Sequence, residues 1–527
     1  MHYKIGVDVG GTNTDAVLVC DKNKIHAKTK ETTTLDISSG IEKALKKVLS
    51  KVDITKQDIR YIMLGTTHCT NALVERKNLN KIGVIRLGLP ASAAIPSMVD
   101  FPEELKQLLN KHVYLVHGGY EFDGRYISPL IEDEVKTCLK KMKGDVESIA
   151  VTGIFSKTIK DQELKVAEWA NEVLGKSVKV SCSHKLGGLG LLERENATIL
   201  NASLQGVAAK MVCAFKQTVA KLGLDAQLFI GQNDGTLMSL KEVQDYPVLT
   251  ISSGPTNSIR GAGALSKVKN GLVIDVGGTT SDAGVLVNYF PRESTQATQI
   301  GGVLTNFRMP DVVAVGIGGG TLVRFKNANC TLGPDSVGYL LKDKALAFGG
   351  DTLTLSDFFI AEGKTHFDDN LDINSLKKNI ENLTGMPYNT AFIKVKEIIR
   401  SKIEDLVDKL KTDARDITVI ACGGGAFLLP EKIRGASEVL FPKHREVANA
   451  FGACISQISS EKEIVINTLN KDENKELQSL LFETEKDLLK KGASKKSIYI
   501  IAKESVPLAY LPGATKLKVK LCGNLIN

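Results

Sequence analysis

The chain has 527 residues, a formal net charge of +8 and an aromatic fraction of 6%. This length exceeds what one hydrophobic core holds, so two or more domains are expected. The modest charge and scarce aromatic residues argue against nucleic-acid binding. No apolar stretch reaches the length needed to cross a bilayer, and the N-terminus runs directly into a predicted strand, so we expect neither a membrane span nor a signal peptide. Nine cysteines without a CxxC pair indicate reduced thiols and a cytoplasmic protein.

The first half of the chain alternates predicted strands and helices. Apolar runs at 4–7 and 16–19 flank a glycine turn and predict a hairpin. A strand at 59–64 ends in a polar loop. Residues 89–128 are broken by prolines and interpreted as an inserted or peripheral region. The other predicted elements are strands at 24–29, 82–87, 148–155 and 178–182, and helices at 41–52, 161–174 and 193–222, the last joining two lobes.

The second half repeats this pattern. A second hairpin covers 272–287, with the same glycine turn between two apolar runs. Strands are predicted at 227–231, 248–251, 313–315 and 417–421, and helices from 253, over 391–410 and from 446. After residue 460 the sequence no longer follows this pattern. Residues 461–491 are charged and predicted to be helical, and residues 497–503 and 516–521 are predicted to be strands. These residues predict a small α+β appendix.

One short phrase occurs twice. Asp8-Val-Gly-Gly-Thr-Asn-Thr-Asp15 and Asp275-Val-Gly-Gly-Thr-Thr-Ser-Asp282 each lie between two apolar runs. Glycines let backbone N–H groups approach an anion, a threonine hydroxyl adds a donor, and an aspartate can hold a cation or water beside a phosphate. A tight hairpin alone also needs Gly and Asp at its bend. Two copies that keep both acids favour a two-lobed phosphate site.

The sequence does not match other nucleotide-binding motifs, because required residues are absent. A P-loop needs G-x-x-x-x-G-K-[ST], and neither Gly175-Lys176-Ser177 nor Gly363-Lys364-Thr365 has the leading glycine. No stretch completes G-x-G-x-x-G after a strand. What remains is a set of glycine turns at strand ends, which we interpret as parts of one nucleotide cleft: 10–11, 277–278, 318–320 and 423–425.

Taken together, these phrases resemble a known family. The paired hairpins, Ser253-Gly-Pro255, the turn at 423–426 and a final small-residue helix resemble the fold of actin, heat-shock chaperone ATPases and sugar kinases. More closely, the chain resembles the A subunit (N-methylhydantoinase A-like) of the hydantoinase/oxoprolinase family over residues 1–460. The matching segments are 5–12, 65–76, 183–184, 193–198, 234–238, 253–255, 275–282 and 316–321. The short segment after 460 departs from the family's larger C-terminal domain, and no B-subunit sequence is present.

The resemblance implies an α/β fold: a two-lobed, ribonuclease-H-like, actin-type ATPase with lobes at 1–185 and 186–460 and a small C-terminal α+β appendix at 461–527. It implies ATP and Mg²⁺ as cofactors. The implied reaction is hydrolysis of a cyclic amide, of the hydantoin or 5-oxoproline type, through phosphorylation of the amide oxygen. Because the family's activities generally involve both subunits, it also implies a B-type partner subunit and a homo- or hetero-oligomer.

The matched positions supply candidate nucleotide-site residues. Asp8 and Asp275 are expected to organise Mg²⁺ and its water shell, with Asp15 and Asp282 as second-rank partners. The expected phosphate contacts are Gly10, Gly11, Thr12, Gly277, Gly278, Thr279 and Thr280. The expected adenosine face is Gly424, Gly425 and Ala426.

The substrate side rests on two further segments. Thr66, Thr67, His68 and Asn71 follow a predicted strand and are expected to face the cleft. His68 is either a general base or metal ligand, or a turn histidine hydrogen-bonded to backbone. Glu193 and Arg194 either clamp a substrate carboxylate or simply open the long helix.

Three other functions stay open. One is an ATP-dependent carboxylase subunit that phosphorylates a ketone or bicarbonate. Another is a small-molecule kinase of the same fold that releases a phosphorylated product. The third is a non-enzymatic, ATP-binding regulator.

Overall fold

The structure, a computed structural model, describes residues 2–33, 37–109, 111–294, 297–307, 309–365, 371–509 and 511–526. Its strands are β1 (Tyr3–Val9), β2 (Asn13–Cys20), β3 (Ile25–Thr32), β4 (Ile59–Thr66), β5 (Ile82–Leu89), β6 (His112–His117), β7 (Ser148–Gly153), β8 (Lys179–Cys182), β9 (Gln227–Gly231), β10 (Leu237–Ser239), β11 (Gly271–Val276), β12 (Ser281–Val287), β13 (Phe290–Pro291), β14 (Thr298–Ile300), β15 (Val303–Thr305), β16 (Val312–Val315), β17 (Thr321–Lys326), β18 (Asn329–Ser336), β19 (Ile417–Cys422), β20 (Ala436–Leu440), β21 (Ile458–Asn467), β22 (Tyr499–Pro507) and β23 (Ala514–Gly523). Its α-helices are α1 (Ile37–Leu49), α2 (His68–Glu75), α3 (Glu103–Leu109), α4 (Glu132–Met142), α5 (Asp161–Leu174), α6 (Leu191–Lys221), α7 (Leu240–Asp245), α8 (Ser253–Ser266), α9 (Leu341–Lys344), α10 (Leu355–Ala361), α11 (Ile373–Thr384), α12 (Tyr388–Leu410), α13 (Ala448–Ile455) and α14 (Glu473–Lys490).

Two sheets repeat one topology. In the first, β3, β2 and β1 are antiparallel neighbours, and β4 and β9 continue the sheet in parallel. In the second, β16, β12 and β11 are antiparallel, and β19 and β20 continue in parallel. Each glycine hairpin therefore occupies the same place in its own sheet. This confirms the predicted α/β fold with two related lobes.

A pair of helices joins the two sheets. Helix α13 packs on β1, β2 and β4, helix α8 packs on β11, β12 and β19, and the two helices pack against each other. A Cβ on Gly261 would lie 1.9 Å from the carbonyl oxygen of Ala448, and a Cβ on Gly452 would lie 1.8 Å from that of Asn257. The helix backbones can approach this closely because no side chain stands between them.

A separate parallel sheet, in the order β6–β5–β7–β8, lies in the first half of the chain. Ile85 and Val151 pack with α4 and α5, whereas Val84 and Ala150 pack with α6. Neighbouring residues of a strand point to opposite faces, so helices cover both faces of this sheet. Within residues 89–128, which the sequence indicates to be inserted or peripheral, β6 pairs with β5 and forms the edge of this sheet.

Helix α6 corrects another expectation. By length and composition it could cross a bilayer, although the sequence was expected to contain no such stretch. Of its apolar window, 72% is buried inside the protein. Burial on this scale is typical of a helix that is apolar all round because it lies in a folded core.

The residues after 457 extend the first sheet. Strand β21 pairs in parallel with β10, and β23 and β22 follow, which completes a nine-stranded sheet. The helix predicted from 461 is wrong up to 467, because Glu461 and Glu463 belong to β21 and face lysines of β23 across the ladder. The helical prediction is confirmed for α14. Because β9, β10 and β21–β23 all join the sheet of the first hairpin, this sheet crosses the predicted domain boundaries, which themselves stay a prediction.

Lys520 ties this C-terminal segment to the rest of the chain. Its side chain is 4% exposed, and its Nζ lies 2.9 Å from Asp234 of the β9–β10 turn and 2.8 Å from Glu293. Burial opposes its charge, but the two carboxylates outweigh burial and raise the pKa of Lys520. One lysine of β23 therefore links three separate parts of the chain.

One further element differs from its prediction. Residues 248–251 were predicted to be a strand, but Pro247–Thr250 form a short 3₁₀ helix. Proline has a fixed φ and no N–H to donate, which suits the first turn of a helix and not the interior of a sheet.

We expect Gly452→Val to lower the stability of the protein by about 3 kcal/mol or more, because the new side chain would meet backbone that cannot move aside. The measurement is the thermal unfolding midpoint. Gly316→Ala is the control, since a Cβ there meets nothing within 4 Å. Equal unfolding midpoints for the two variants would contradict the close helix approach.

Candidate active site

Each hairpin carries a pair of opposed aspartates. Asp8 stands directly across from Asp15 in the β1–β2 ladder, and Asp275 stands across from Asp282 in the β11–β12 ladder. The turn also repeats: the N–H of Gly10 donates to the carbonyl of Asn13 at 3.0 Å, and the N–H of Gly277 donates to that of Thr280 at 2.9 Å. The repeated sequence motif therefore forms the same local structure twice.

The tips of the two hairpins face each other. A Cβ on Gly278 would lie 3.3 Å from Oγ1 of Thr12. The carboxylates behind the tips are close enough for the charge of Asp275 to raise the pKa of Asp8. The structure thus brings both hairpins to one cleft, as the duplicated phrase predicted.

The cleft holds more negative charge than its cations neutralise. Burial, followed by the charges of Asp15 and Asp275, raises the pKa of Asp8 to about 7. Burial and the charge of Asp275 also raise the pKa of Asp282 to about 7. Lys30 pairs with Asp15 at 2.9 Å. Such an excess of carboxylate oxygens favours a bound cation.

Two buried polar groups beside the first hairpin have no protein partner in the described part of the chain. They are Oδ1 of Asp8 and the side-chain amide of Asn257, while Oδ2 of Asp8 accepts a hydrogen bond of 2.9 Å from Asn449. A Cβ on Gly65 would lie 2.3 Å from that Oδ1 and 2.7 Å from Nδ2 of Asn257. Buried polar atoms without partners are costly. Both groups therefore pack against Gly65. An unpartnered carboxylate oxygen beside an unpartnered amide suits a hydrated Mg²⁺ next to a phosphate.

Glycine turns surround the second hairpin. The N–H groups of Gly319 and Gly320 donate to the carbonyls of Gly277 and Gly278 at 3.0 and 2.7 Å. Gly423 has a φ of +87°, and a Cβ there would lie 2.2 Å from Oδ1 of Asp275. The structure therefore gathers the predicted phosphate and adenosine turns around Asp275.

The turn at 423–426, which is predicted to form the adenosine face, also lies close to the first lobe. The N–H of Gly425 donates to the carbonyl of Val276 at 2.7 Å, and Ala426 is buried behind it. A Cβ on Gly424 would lie 3.5 Å from Cε of Lys30. Gly11 and the threonines Thr279 and Thr280 stand exposed at the hairpin tips.

The loop after β4 lies beside the first hairpin, because Val9 and Thr66 are partners in the β1–β4 ladder. The hydroxyl of Ser253 donates to the carbonyl of Thr66 at 3.2 Å, which places Thr67 and His68 next to the start of α8. Burial lowers the pKa of His68, so its imidazole is neutral at pH 7. Asn71 is exposed on α2.

Arg194 is not free to clamp a substrate in this conformation. Its side chain is fully buried, Nε donates to Oγ of Ser183 at 3.0 Å, and the other nitrogens donate to backbone carbonyls, among them those of Leu189 and Gly153. Glu193 beside it is partly exposed at the start of α6. The structure does not bring these two residues to the hairpins.

Four residues near the aspartates were missed by sequence reasoning. Lys30 faces Asp15 across the β2–β3 ladder, and Ser258 of α8 hydrogen-bonds Asp275. Hairpin register could have found Lys30. Asn257 and Asn449 come from α8 and α13, and only the packing of those helices brings them to Asp8.

The duplicated sheets and facing hairpins define a two-lobed α/β fold in which each lobe carries one glycine hairpin. The chain belongs to the hydantoinase/oxoprolinase family: residues 4–174 match the hydantoinase/oxoprolinase N-terminal region, and residues 194–462 match the hydantoinase/oxoprolinase domain.

Known proteins similar to this chain include a caprolactamase subunit and a 5-oxoprolinase. Caprolactamase subunit alpha of Pseudomonas jessenii is 22% identical over 91% of this chain and 74% of its own length. The 5-oxoprolinase of Dictyostelium discoideum is 24% identical over 94% of this chain, which spans only 46% of that enzyme.

Two solved structures share the fold. The ATP-dependent caprolactamase of Pseudomonas jessenii has a TM-score of 0.79 at 18% identity, covering 100% of this chain and 88% of the other. The nucleotide-free acetone carboxylase has a TM-score of 0.71 at 18% identity, covering 99% of this chain and 88% of the other.

The raised pKa of Asp8 predicts a pH dependence of stability. Because its folded pKa lies above that of an unfolded aspartate, the stability of the ligand-free protein is highest below about pH 4 for this group and falls as the pH rises through about 7. We expect Asp8→Asn to remove this loss and to stabilise the ligand-free protein at pH 8 by about 1–4 kcal/mol.

The measurement is the thermal unfolding midpoint from pH 4 to 8 without divalent cations. Asp343→Asn, at an exposed position of α9, is the control and should follow the wild type. An Asp8→Asn protein less stable than wild type at pH 8 would contradict the charge excess.

Proposed function

We propose that this chain is the ATP-hydrolysing component of an enzyme that opens a cyclic amide by phosphorylating its amide oxygen. The observation that carries the proposal is the pair of facing aspartate hairpins, together with an unpartnered oxygen of Asp8 in the first of them. Support for the substrate class comes from membership of the hydantoinase/oxoprolinase family and from similarity to a caprolactamase and a 5-oxoprolinase.

The chemistry explains why ATP is needed. The carbon of a cyclic amide is a weak electrophile and its nitrogen is a poor leaving group, so water alone opens the ring slowly. Phosphorylation of the amide oxygen makes that carbon more electrophilic. A phosphoryl-transfer site acts mainly by positioning the reactants and by stabilising the charge of the transferred group.

The chain's own residues divide this work between the two lobes. Asp8 and Asp275 would hold Mg²⁺, with Asn257 beside them, and the metal when bound supplies positive charge against the triphosphate. The backbone N–H groups at the hairpin tips are positioned to donate to phosphate oxygens. Thr66 and Thr67, at the end of β4 and next to the first hairpin, would face the substrate.

We further propose that a second, B-type subunit completes the enzyme. The caprolactamase relative is a subunit by its name, and the chain covers less than half of the 5-oxoprolinase to which it is similar. A carboxylase subunit is the second candidate function, because acetophenone carboxylase gamma subunit of Aromatoleum aromaticum is 25% identical over 86% of this chain.

The test is ATP turnover with 5-oxoproline, hydantoin, caprolactam or bicarbonate plus a ketone, with and without a B-type subunit. We expect a cyclic amide to raise ATP turnover and to yield a ring-opened product. Bicarbonate-dependent turnover would select the carboxylase instead, and a stable phosphorylated product would select a kinase. No stimulation by any of these compounds would contradict both proposed activities.

We expect Asp275→Asn to lower ATP turnover by about 100-fold or more while the protein stays folded. The substitution would remove a carboxylate ligand of Mg²⁺ and thereby weaken the positive charge that stabilises the transferred phosphoryl group. Asp343→Asn is the matched control on the surface of the same lobe. Circular dichroism checks the fold. Wild-type turnover in the folded Asp275→Asn protein would refute the assignment.

A further inference from the structure

A cavity of about 1130 Å³ lies away from the aspartate hairpins. Its walls come from the loop after β7, the segment 184–188, the β9–β10 turn, residues near Asn306, and β21. Among the described residues that line it, none is a predicted nucleotide or substrate residue. The cavity therefore needs its own explanation.

The cavity nevertheless lies close to the proposed phosphate site. Asp8 is the ladder partner of Gly65, and the β4–β9 register places Gly65 beside Gly231. With neighbouring strands about 4.8 Å apart, Gly231 lies roughly 10 Å from Asp8. The next residue, Gln232, lines the cavity. A substrate that occupies the cavity would have to span this distance to reach the phosphate site.

Glu163 lies behind the cavity wall with its carboxylate fully satisfied. One oxygen accepts from the N–H of Gly153 and the hydroxyl of Ser183, at 2.9 and 2.6 Å. The other accepts from the backbone N–H and from Nδ1 of His184, at 2.9 and 2.6 Å. Burial opposes ionisation, but His184 and Ser183 outweigh it and hold the pKa of Glu163 below its ordinary value.

This arrangement fixes the orientation of His184. Because Nδ1 is committed to Glu163, Nε2 is the nitrogen left for other partners, and in the described part of the chain it has none. His184 lines the cavity, and its side chain is 7% exposed. Ser183 is itself held by the buried Arg194. A carboxylate that orients an imidazole toward an open space is the arrangement of a general acid–base pair.

Lys157 adds a positive charge to the same cavity. It lines the wall, and no carboxylate of the described residues lies within ion-pair distance of its Nζ. Burial lowers its pKa, against the attraction of Glu463 and Glu461. An ammonium group without a fixed partner is suited to an anionic or polarised oxygen of a ligand.

A metal site explains this cluster less well, although Glu163, Cys182 and His184 lie close together. Both oxygens of Glu163 already accept two hydrogen bonds each. The thiol of Cys182 donates to the backbone carbonyl of Glu163, and burial raises the pKa of this thiol to about 12. A thiol that stays protonated is a poor metal ligand.

We propose that His184, oriented by Glu163, is the proton-transferring residue of ring opening, and that Lys157 holds an oxygen of the substrate beside it. The inference rests on the proposed function. Water adds to the carbon of the phosphorylated amide while Nε2 of His184 accepts a proton from that water. Nε2 then returns the proton to the ring nitrogen as the C–N bond breaks. The electron pair of that bond leaves with the nitrogen, and the carbonyl forms as the hydroxyl of the intermediate releases its proton to solvent. The resulting acyl phosphate is hydrolysed by a second water to a carboxylate and inorganic phosphate.

Proton return decides which bond of the tetrahedral intermediate breaks. If the nitrogen receives the proton, it leaves as an amine and the ring opens. If it does not, phosphate is the better leaving group, and its departure restores the cyclic amide with an oxygen from water. His184 therefore couples ATP hydrolysis to ring opening.

The test compares His184→Gln with His117→Gln, using 5-oxoproline as substrate in ¹⁸O-labelled water. His117 is a matched control because its Nδ1 pairs with Glu134 at 3.1 Å, but on the surface and away from the cavity. In His184→Gln we expect the number of rings opened per ATP hydrolysed to fall by about 100-fold or more. The recovered 5-oxoproline should also gain ¹⁸O. An unchanged ratio of rings opened to ATP hydrolysed would overturn the proposal.

Glu163 is a positioning residue, so its variants need a readout that loss of packing would not change. We expect Glu163→Gln to shift the pH profile of ring opening and Glu163→Asp to restore part of the coupling, whereas Glu134→Gln should do neither. A Glu163→Gln protein with the pH profile and coupling of the wild type would overturn its role.

Nitrogen NMR of histidine-labelled protein separates this inference from the proposed function. In the wild type we expect neutral His184 to carry its proton on Nδ1, and Glu163→Gln to abolish that preference. A wild type that opens no ring in the panel of cyclic amides would refute the proposed function alone. A proton on Nε2, or imidazole nitrogens ligated by added Zn²⁺, would overturn the assignment of His184.

Discussion

Repulsion between buried carboxylates is the constraint on which the rest of this structure depends. Two hairpins bring four aspartates to one cleft in which Lys30 pairs with one of them. Burial and mutual repulsion favour protonation of Asp8 at neutral pH. Packing elsewhere has to hold the hairpins together against this cost, and the glycine crossing of α8 and α13 supplies a rigid joint between the lobes. A bound cation and triphosphate would stabilise the same arrangement by mass action.

The fold was predictable because the sequence patterns that specify the two hairpins are local and repeated. Each hairpin is encoded within about twenty consecutive residues, and two copies imply two sheets with the same topology. The glycine turns of the second lobe were also predictable, since each directly follows a strand. The register between β2 and β3 would also have identified Lys30. What was predicted correctly therefore depends on neighbours in the sequence.

The remaining features depend on packing between distant residues. Asn257 and Asn449 lie on different helices, and nothing in their local sequence indicates that both reach Asp8. Glu163 looks like an ordinary first-turn acid of α5 until the fold places Ser183 and His184 against it. The start of β21 was predicted to be a charged helix because its sequence is rich in charged residues. In the structure its glutamates pair with lysines of the neighbouring strand β23. Charge patterns alone do not distinguish a solvated helix from such a ladder.

Lys520 makes the C-terminal segment inseparable from the cavity. Its ammonium group pairs with both Asp234 and Glu293, and all three residues line the cavity. Removing β23 would take this cation away from both acids and would open the edge of β21. Proteolysis before β23, or a partner that displaces β23 from the sheet, would therefore change the cavity next to His184 and leave both hairpins in place.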